Sequence, residues 1–571
     1  MEFFAQVWFS EPRVTLLLAA AFLLLAILLP RRSERFFLRI EAFFSALAAR
    51  KLLAILLLFL SVIVVRLALL GWLPIPNPGI HDEFSYLLMA DTFAHGRLTN
   101  PTHPLWRSFQ TFHVIWFPTY ASKYPPAQGI ALFLGQLLGH PWIGVLLTAA
   151  GMAASFVWML QAWIPARWAL LAGLLAAIKL CVACYWINSY WGGAVAAIGG
   201  ALVLGALARL KRKPSLREAI LFAAGLVILF NSRPYESVFF CLPLGVALLF
   251  WLLLNYKGPQ SAHYRKFVIL PVSALLLIAA LAMSFYNWRI TGDPLDPPFV
   301  FAARFNNRAA IFLWQSPKPP IHFDVAELDQ FYNRAELERY NRTWQALLSV
   351  FQEKMQSCAA VFAWPAAWLL LPGAFFLFRD RRPRLVYFAL FATLFGYSLV
   401  VWPWPHYLAP AACAWFALLV QCIRHLRAFR PFGRPVGPAL SRVIFLALVL
   451  DVSHLAAQRI SDPQGWGGWG LLDREQLKDT LEATPGKHVV LVRYGPDHSV
   501  HEEWVFNGAD VDTSKIIWAR DLPGPVNDRL LAYYPDRTIW LVIPETGDVS
   551  ILRPPVAQRP LGRKAADLHA P

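Results

Sequence analysis

The 571-residue chain is 57% hydrophobic and only 15% charged, against the roughly one-quarter charged content of ordinary soluble domains. Its net charge of +17 does not point to nucleic acid: the basic residues punctuate long apolar runs instead of gathering on one surface, so no nucleic-acid partner is expected. Of the six cysteines, five fall inside apolar runs, and the Cys181/Cys184 pair has no second ligand pair for zinc; they are expected to be packing residues, not a disulfide framework.

In chain order, the apolar runs predict spans at 14–30, 51–72, 141–161, 167–187, 191–209, 218–232, 235–255, 267–286, 360–378, 385–402, 407–423 and 440–457, each near the length a helix needs to cross a bilayer. The first is retained, because Pro30, Arg31 and Arg32 stand where a small-residue cleavage site would lie. Basic clusters at Arg31–Lys51, Arg209–Arg217, Lys257–Lys266, Arg379–Arg384 and Arg424–Arg442 are separated by even numbers of spans. All can therefore face the cytoplasm, as the positive-inside rule requires. The expected fold class is an α-helical polytopic membrane protein with about 12 transmembrane helices and a small C-terminal extracytoplasmic α/β domain.

Three external segments follow from that topology. Residues 73–140 mix aromatic and polar residues as interfacial helices do, and Gln128–Leu138 is too short to span and should re-enter or lie flat. Within 287–359, Asp324–Met355 reads as polar helix with a solvated charged face. The tail opens with a Gly/Trp cluster at Ser461–Trp469. It then offers a helical pattern at Arg474–Glu482 and β-branched runs at His488–Tyr494, Ile516–Ala519 and Thr538–Ile543. Beyond Arg553 the composition reads as disordered. The chain thus divides into 1–50, an extra helix and basic linker; 51–457, the membrane module; and 458–571, the external domain with its tail.

Chemistry concentrates in the first external loop. It opens with His81-Asp82-Glu83-Phe84-Ser85-Tyr86, and two adjacent carboxylates at a membrane surface need a partner or a use; a plain alternative is acids capping a helix start. Lys123-Tyr124-Pro125-Pro126 follows before the next span, and Pro405-His406-Tyr407-Leu408-Ala409-Pro410 enters a late span from the same side. In order and side these motifs resemble the GT-C superfamily of membrane glycosyltransferases. The likeness is to the branch with protein O-mannosyltransferases, lipid A aminoarabinose transferases and RgtA/B/C/D-like enzymes, and it covers about residues 51–425. The span ahead of residue 50 is extra to the family pattern.

What the resemblance implies is a GT-C-like fold and an inverting transfer of sugar from a polyprenyl phosphate to an acceptor on the external or periplasmic face. Asp82 matches the family's catalytic aspartate, with Glu83 orienting the acceptor or the loop. Lys123 is the first candidate for the departing lipid phosphate, which gains negative charge as the glycosidic bond breaks. Arg233, in Asn231-Ser232-Arg233-Pro234-Tyr235-Glu236, is placed to reach the same phosphate or to pair with Glu236. His406, Tyr407 and Tyr86 complete the donor-site candidates, His406 and Tyr407 being equally suited to an aromatic belt. The expected partners are the polyprenyl-phosphate-linked sugar, a glycan, lipid or protein acceptor, and membrane lipids, and the expected location is the inner (plasma) membrane. No cofactor is expected: some GT-C enzymes use divalent ions, but the spacings of His81, Asp91, His95, His103 and His113 match no compact ligand motif. The rival readings are a transporter or flippase of lipid-linked glycan, hinted at by Arg66, Lys179 and Gly192-Gly193, and a glycan polymerase or ligase.

Overall fold

The computed structural model describes residue 17 and residues 34–255, 261–338, 343–362, 374–430, 436–461, 472–496 and 498–554. Seven helices within them are long and apolar enough to cross a membrane: Lys51–Ala68, Pro141–Leu160, Ala194–Arg212, Pro234–Asn255, Ser261–Thr291, Pro405–Leu426 and Val436–Ser461. Leu253 is 63% exposed and Leu277 61% exposed. Such side chains on two long helices are costly in water and at rest in hydrocarbon, which makes this a membrane protein.

Three other expected spans, Ala166–Leu180, Leu216–Phe230 and Arg384–Ser398, are helices of 15 residues, about 22 Å long and short of a full hydrocarbon core. The expected span at 14–30, apart from residue 17, and residues 363–373 of that at 360–378 lie outside the described residues, as do residues 462–469 of the Gly/Trp cluster and the tail after residue 554. The count of twelve spans therefore stands at seven by length among the described residues.

The span expected to run to 187 stops at Leu180 for a tertiary reason. Trp142 donates its indole N–H to Ile187 O at 2.9 Å, and Asn188 donates to Val182 O and Cys184 O. Arg66 donates to Asn188 Oδ1 and to Leu73 O and Pro74 O. These bonds satisfy a non-helical backbone inside the protein, the only place at membrane depth where it is tolerated. Arg66 thereby braces this turn, and Lys179 is ion-paired with Asp451 at 2.9 Å, so both have partners inside the protein.

Small residues let the helices close on the site. A Cβ on Gly200 would lie 1.8 Å from Pro410 O, so only glycine lets Ala194–Arg212 pack against the chain that follows His406 and Tyr407. The stretch expected to be a basic linker is instead helical at Glu34–Ala49. Its Glu41 accepts from Arg427 at 2.8 Å and Arg442 at 3.1 Å, so the first and last basic clusters meet on one side of the molecule.

Beyond the other end lies the extramembrane part. The first loop forms a helix at His81–Ala94 and three short antiparallel strands, β1 (Asn100–Pro101), β2 (Val114–Ile115) and β3 (Thr119–Ser122), ordered β1-β3-β2. Pro126–Leu137, twelve residues long, is the short helix expected near Gln128. Near the C-terminus, β4 (His488–Val492), β5 (Ile516–Arg520), β6 (Thr538–Ile543) and β7 (Asp548–Arg553) make one sheet ordered β5-β4-β6-β7. β4 pairs parallel with β5 and β6, and β7 closes it antiparallel. Helices Leu472–Ala483 and Pro525–Tyr533 accompany it.

This α/β unit shares its core with the first loop. Phe84 stacks on Phe506 at 4.1 Å, and Phe109, Val114 and Trp116 are buried in one cluster with Val490 and Trp518. The second loop also departs from expectation. Asp324–Met355 includes helical residues 326–338 and part of a helix at Trp344–Phe362; Asp324 and Arg334 present a solvated face, while Phe331, Tyr332 and Glu336 are buried.

Candidate active site

One cavity of about 1520 Å³ collects the chemistry, larger than the roughly 300–1,000 Å³ that holds an ordinary small ligand. Its inner end is apolar, lined by Phe230 and Leu226 of Leu216–Phe230 and by Leu276, Ala280 and Met283 of Ser261–Thr291. Its middle holds Asp82, Lys123 and Arg233, and its outer end reaches Asp473, Ser499 and Glu502 of the C-terminal unit. A hydrocarbon chain suits one end and a polar molecule the other.

Asp82 sits in the first turn of His81–Ala94 with its side chain 25% exposed. Tyr124 donates its hydroxyl to Asp82 Oδ1 in a short hydrogen bond, and His113 Nε2 lies 3.9 Å from Asp82 Oδ2. Lys123 donates to His113 Nδ1 at 2.7 Å. Burial and the neighbouring Lys123 charge hold the His113 imidazole well below its usual range, so it is neutral. With Nδ1 accepting from Lys123, the His113 proton belongs on Nε2, facing the carboxylate. Lys123, Asp82 and His113 thus form one polar chain.

Local backbone contacts fix that chain. Ser85 donates to His113 O at 2.7 Å and shares a hydrogen bond with Ser122, tying the helix to the strands that carry His113 and Lys123. His113 itself stands at φ 62°, a left-handed conformation that costs a non-glycine residue about 1–2 kcal/mol and is typical of functional sites. Ala127 N donates to Asn231 O at 2.9 Å, which holds the Asn231–Arg233 turn against the loop.

Glu83 does something other than line the cavity. Its carboxylate accepts from the backbone N–H groups of Gly79 (2.8 Å), Ile80 (3.1 Å) and Tyr190 (2.8 Å), and it is 3% exposed. Its place beside Asp82 comes from capping the helix that bears Asp82 and tying it to the turn after Leu180. Of the two roles expected of Glu83, orienting the acceptor or orienting the loop, these three backbone bonds match the second.

Arg233 lies over the Tyr407 ring at 4.7 Å, and its charge feels Tyr86, Glu236 and Asp82. Tyr86 stacks on Tyr124 at 4.6 Å and lines the cavity. His406 is 1% exposed, bonded through Nδ1 to Tyr185 OH at 3.0 Å and edged by Trp191 at 4.5 Å. It forms part of an aromatic wall. Among the described residues neither Lys123 nor Arg233 forms an ion pair with a carboxylate. Lys123, 6% exposed, has its ammonium pushed down to about 8 by burial. Both cations thus sit in a partly dry cavity near the carboxylates of Asp82, Glu236 and Glu336, without a direct ion pair to any of them.

Tyr124, His113 and Glu336 belong to this cavity and had no assigned role in the sequence reading. Tyr124 was within reach of it, lying inside the Lys123-Tyr124-Pro125-Pro126 motif. Of the histidines and Asp91 grouped on spacing alone, His81 and His113 meet in the cavity with ring centroids 5.5 Å apart, while Asp91, His95 and His103 lie at the C-terminal unit. Asp91 accepts from Gln136 and Ala509 N, His95 faces Asp510, and His103 is bonded to Asp512 at 3.0 Å. These three anchor the C-terminal unit. Among the described residues no three His, Cys, Asp or Glu side chains are placed to hold a metal ion.

No family model matches the chain, and no curated protein matches it. Among solved structures, ArnT from Cupriavidus metallidurans bound to undecaprenyl phosphate aligns with 86% of this chain and 93% of its own. The identity is 13% and the TM-score 0.48. The archaeal oligosaccharyltransferase AglB from Archaeoglobus fulgidus, in complex with an inhibitory peptide and a dolichol-phosphate, aligns with 76% of this chain at 13% identity and a TM-score of 0.38. This chain spans 62% of it.

Proposed function

We propose that the chain is an inverting membrane glycosyltransferase of GT-C type that moves a sugar from a polyprenyl phosphate to an acceptor hydroxyl. The observation that carries this reading is the joining of Asp82, Lys123 and Arg233 in one cavity whose far end is apolar and set between membrane helices. A lipid chain would occupy the Leu226–Met283 end, its phosphate would rest on Lys123 and Arg233, and the sugar would lie against Asp82.

In the transfer, the acceptor oxygen forms a bond to the anomeric carbon as that carbon's bond to the phosphate oxygen breaks. The electron pair leaves with the phosphate, and the acceptor proton passes to Asp82. A hydroxyl is a weak nucleophile near neutral pH, and a positioned carboxylate supplies the base. Lys123 and Arg233 offset the negative charge that grows on the leaving oxygen. One displacement with no covalent enzyme intermediate gives inversion. Tyr124 and His113 hold the Asp82 carboxylate in place, and Tyr86, Tyr407 and His406 wall the donor.

The charges support an external or periplasmic site: Glu41 and its arginines lie at the end of the molecule opposite the cavity's loops, the end that the positive-inside rule favours for the cytoplasm. The acceptor, a glycan, lipid or protein, would enter past the C-terminal unit. The test is transfer of label from a polyprenyl-phosphate sugar by the purified protein in lipid, beside Asp82→Asn. The variant is expected to bind donor and lose turnover by about 10²-fold or more; undiminished turnover would remove Asp82 from the mechanism.

A further inference from the structure

The sheet of the C-terminal unit turns its ligand-binding edge towards the cavity. Its strands stand in the order β5-β4-β6-β7, with β4 parallel to both β5 and β6. The chain leaving the carboxyl end of β4 runs to β5 on one side, and the chain leaving β6 turns to β7 on the other. Where two such connections diverge, a crevice opens between the strand ends, and in open α/β sheets that is where ligands bind. Ser499, His501, Glu502 and Trp504 after β4 and Pro544 after β6 all line the outer end of the cavity, so the crevice opens into it. His498 Nδ1 lies 2.6 Å from Glu545 Oε1, which ties the two loops together across the gap.

Charge at this end has one sign. Asp473 and Glu502 are exposed and face the cavity, while the Lys and Arg side chains that line it, Lys123 and Arg233, stand at its middle. Asp473 also occupies the first turn of Leu472–Ala483, so the partial positive charge of that helix end is met by its own acid and offers little to an anion. Ser499 and His501 add groups that both donate and accept. Further in, His81 is 2% exposed and packs beside His501 with ring centroids 6.1 Å apart, and its Nε2 is buried with no hydrogen-bond partner. A molecule dense in neutral hydroxyls meets all of these needs: it donates to carboxylates in charge-assisted bonds, exchanges bonds with hydroxyl and imidazole, and rests its apolar face on the Trp504 wall.

We propose that this crevice is the acceptor subsite and that the acceptor is an uncharged glycan, held through its hydroxyls by Asp473 and Glu502. The inference deepens the proposed transfer and rests on it. Anchored at the outer end, the glycan extends a hydroxyl to Asp82 while the donor phosphate stays on Lys123 and Arg233. The cavity then sorts its two substrates by charge. The cations at the middle take the anionic donor, and the acids at the mouth reject an anionic acceptor, whether a phosphorylated glycolipid or an acidic peptide.

The experiment is binding of an oligosaccharide array to the full-length protein in lipid nanodiscs. The array carries neutral oligosaccharides, the same chain lengths bearing uronate or phosphate, and peptides, and polyprenyl monophosphate affinity is measured beside it. The wild type is expected to bind neutral oligosaccharides and to discriminate by about tenfold or more against their anionic counterparts. Asp473→Asn combined with Glu502→Gln, near-isosteric changes at exposed positions, should weaken neutral-glycan binding by about tenfold, because charge-assisted hydrogen bonds are about twice as strong as neutral ones. Lipid affinity should stay unchanged. Asp473→Lys combined with Glu502→Lys should reverse the preference towards uronate- and phosphate-bearing chains, a change of sign that loss of structure does not produce. A wild type that binds anionic glycans or peptides best, or nothing on the array, or neutral glycans with an affinity neither pair of substitutions alters, would overturn the inference and leave the donor site standing. If neutral glycans bind as expected and polyprenyl phosphate does not, the donor site falls and the crevice remains a glycan site without its place in the transfer.

Discussion

Lys123 Nζ lies 2.7 Å from His113 Nδ1, so the cation assigned to the leaving phosphate and the imidazole beside Asp82 are held as one unit. Burial brings the Lys123 ammonium down to about 8. The sign follows directly: a lysine with a lowered value is charged below it and neutral above it. Phosphate binding, which needs the cation, should therefore be full near pH 7 and fall by up to tenfold per unit above about pH 8. Polyprenyl phosphate affinity measured from pH 6 to 9.5 should show this limb, and Lys123→Arg, charged throughout, should flatten it. A limb unchanged in Lys123→Arg would assign it to another group.

Backbone conformation makes a second expectation at His113. With φ at 62°, glycine suits the position better than alanine, although both remove the imidazole. His113→Ala should be less stable than His113→Gly by about 1 kcal/mol, the reverse of their order in an ordinary strand or helix. Turnover should fall in both to a similar degree, because both lose the contact to Asp82 and the acceptor for Lys123. Thermal melts and single-turnover transfer on the pair of variants separate the two effects.

For Glu83 the expectation is loss of fold, not of chemistry. Glu83→Ala leaves the N–H groups of Gly79, Ile80 and Tyr190 without their acceptor, at about 1–3 kcal/mol for each one left buried. The folded yield and melting temperature should drop steeply. Glu83→Gln keeps an acceptor oxygen and should retain most turnover per folded molecule. A Glu83→Gln protein that is fully stable yet as inactive as Asp82→Asn would return Glu83 to the catalytic set.

What was legible beforehand depended on how local the cause was. Apolar runs gave most helices because a bilayer-length stretch needs no tertiary information, and β4, β5 and β6 were marked by β-branched residues between turn formers. The stop at Leu180 was hidden, since it depends on Trp142, Asn188 and Arg66 arriving from elsewhere. Asp82, Lys123 and Arg233 were found through motif order and do share a cavity. That Glu83 should orient the acceptor or the loop was legible from its place beside Asp82, while its three backbone donors were not. Glu336 was lost among the charges of Asp324–Met355, where nothing local separates a solvated acid from a buried one. The left-handed His113 had no signal at all, being neither glycine nor asparagine.

Arg520 connects the C-terminal unit to the site and makes the last expectation. It is 2% exposed and donates to Glu503, to Glu327 at 2.9 Å and to Gln110 O at 2.7 Å. One guanidinium thus joins β5 to the second loop and to the segment three residues before His113. Removing it leaves Glu503, 1% exposed, as a buried charge without its cation. Losing one member of such a pair costs about 3–5 kcal/mol. Arg520→Ala should therefore expose the C-terminal unit to limited proteolysis and lower transfer by displacing His113, with no ligand contact of its own. Pairing it with Glu503→Gln should recover part of the stability, because the orphaned charge is gone, and the double-mutant cycle should show coupling well above 0.5 kcal/mol. Additive losses in that cycle would mean that Arg520 and Glu503 act separately, and that the loop bearing His113 is held by its own contacts to Ser85.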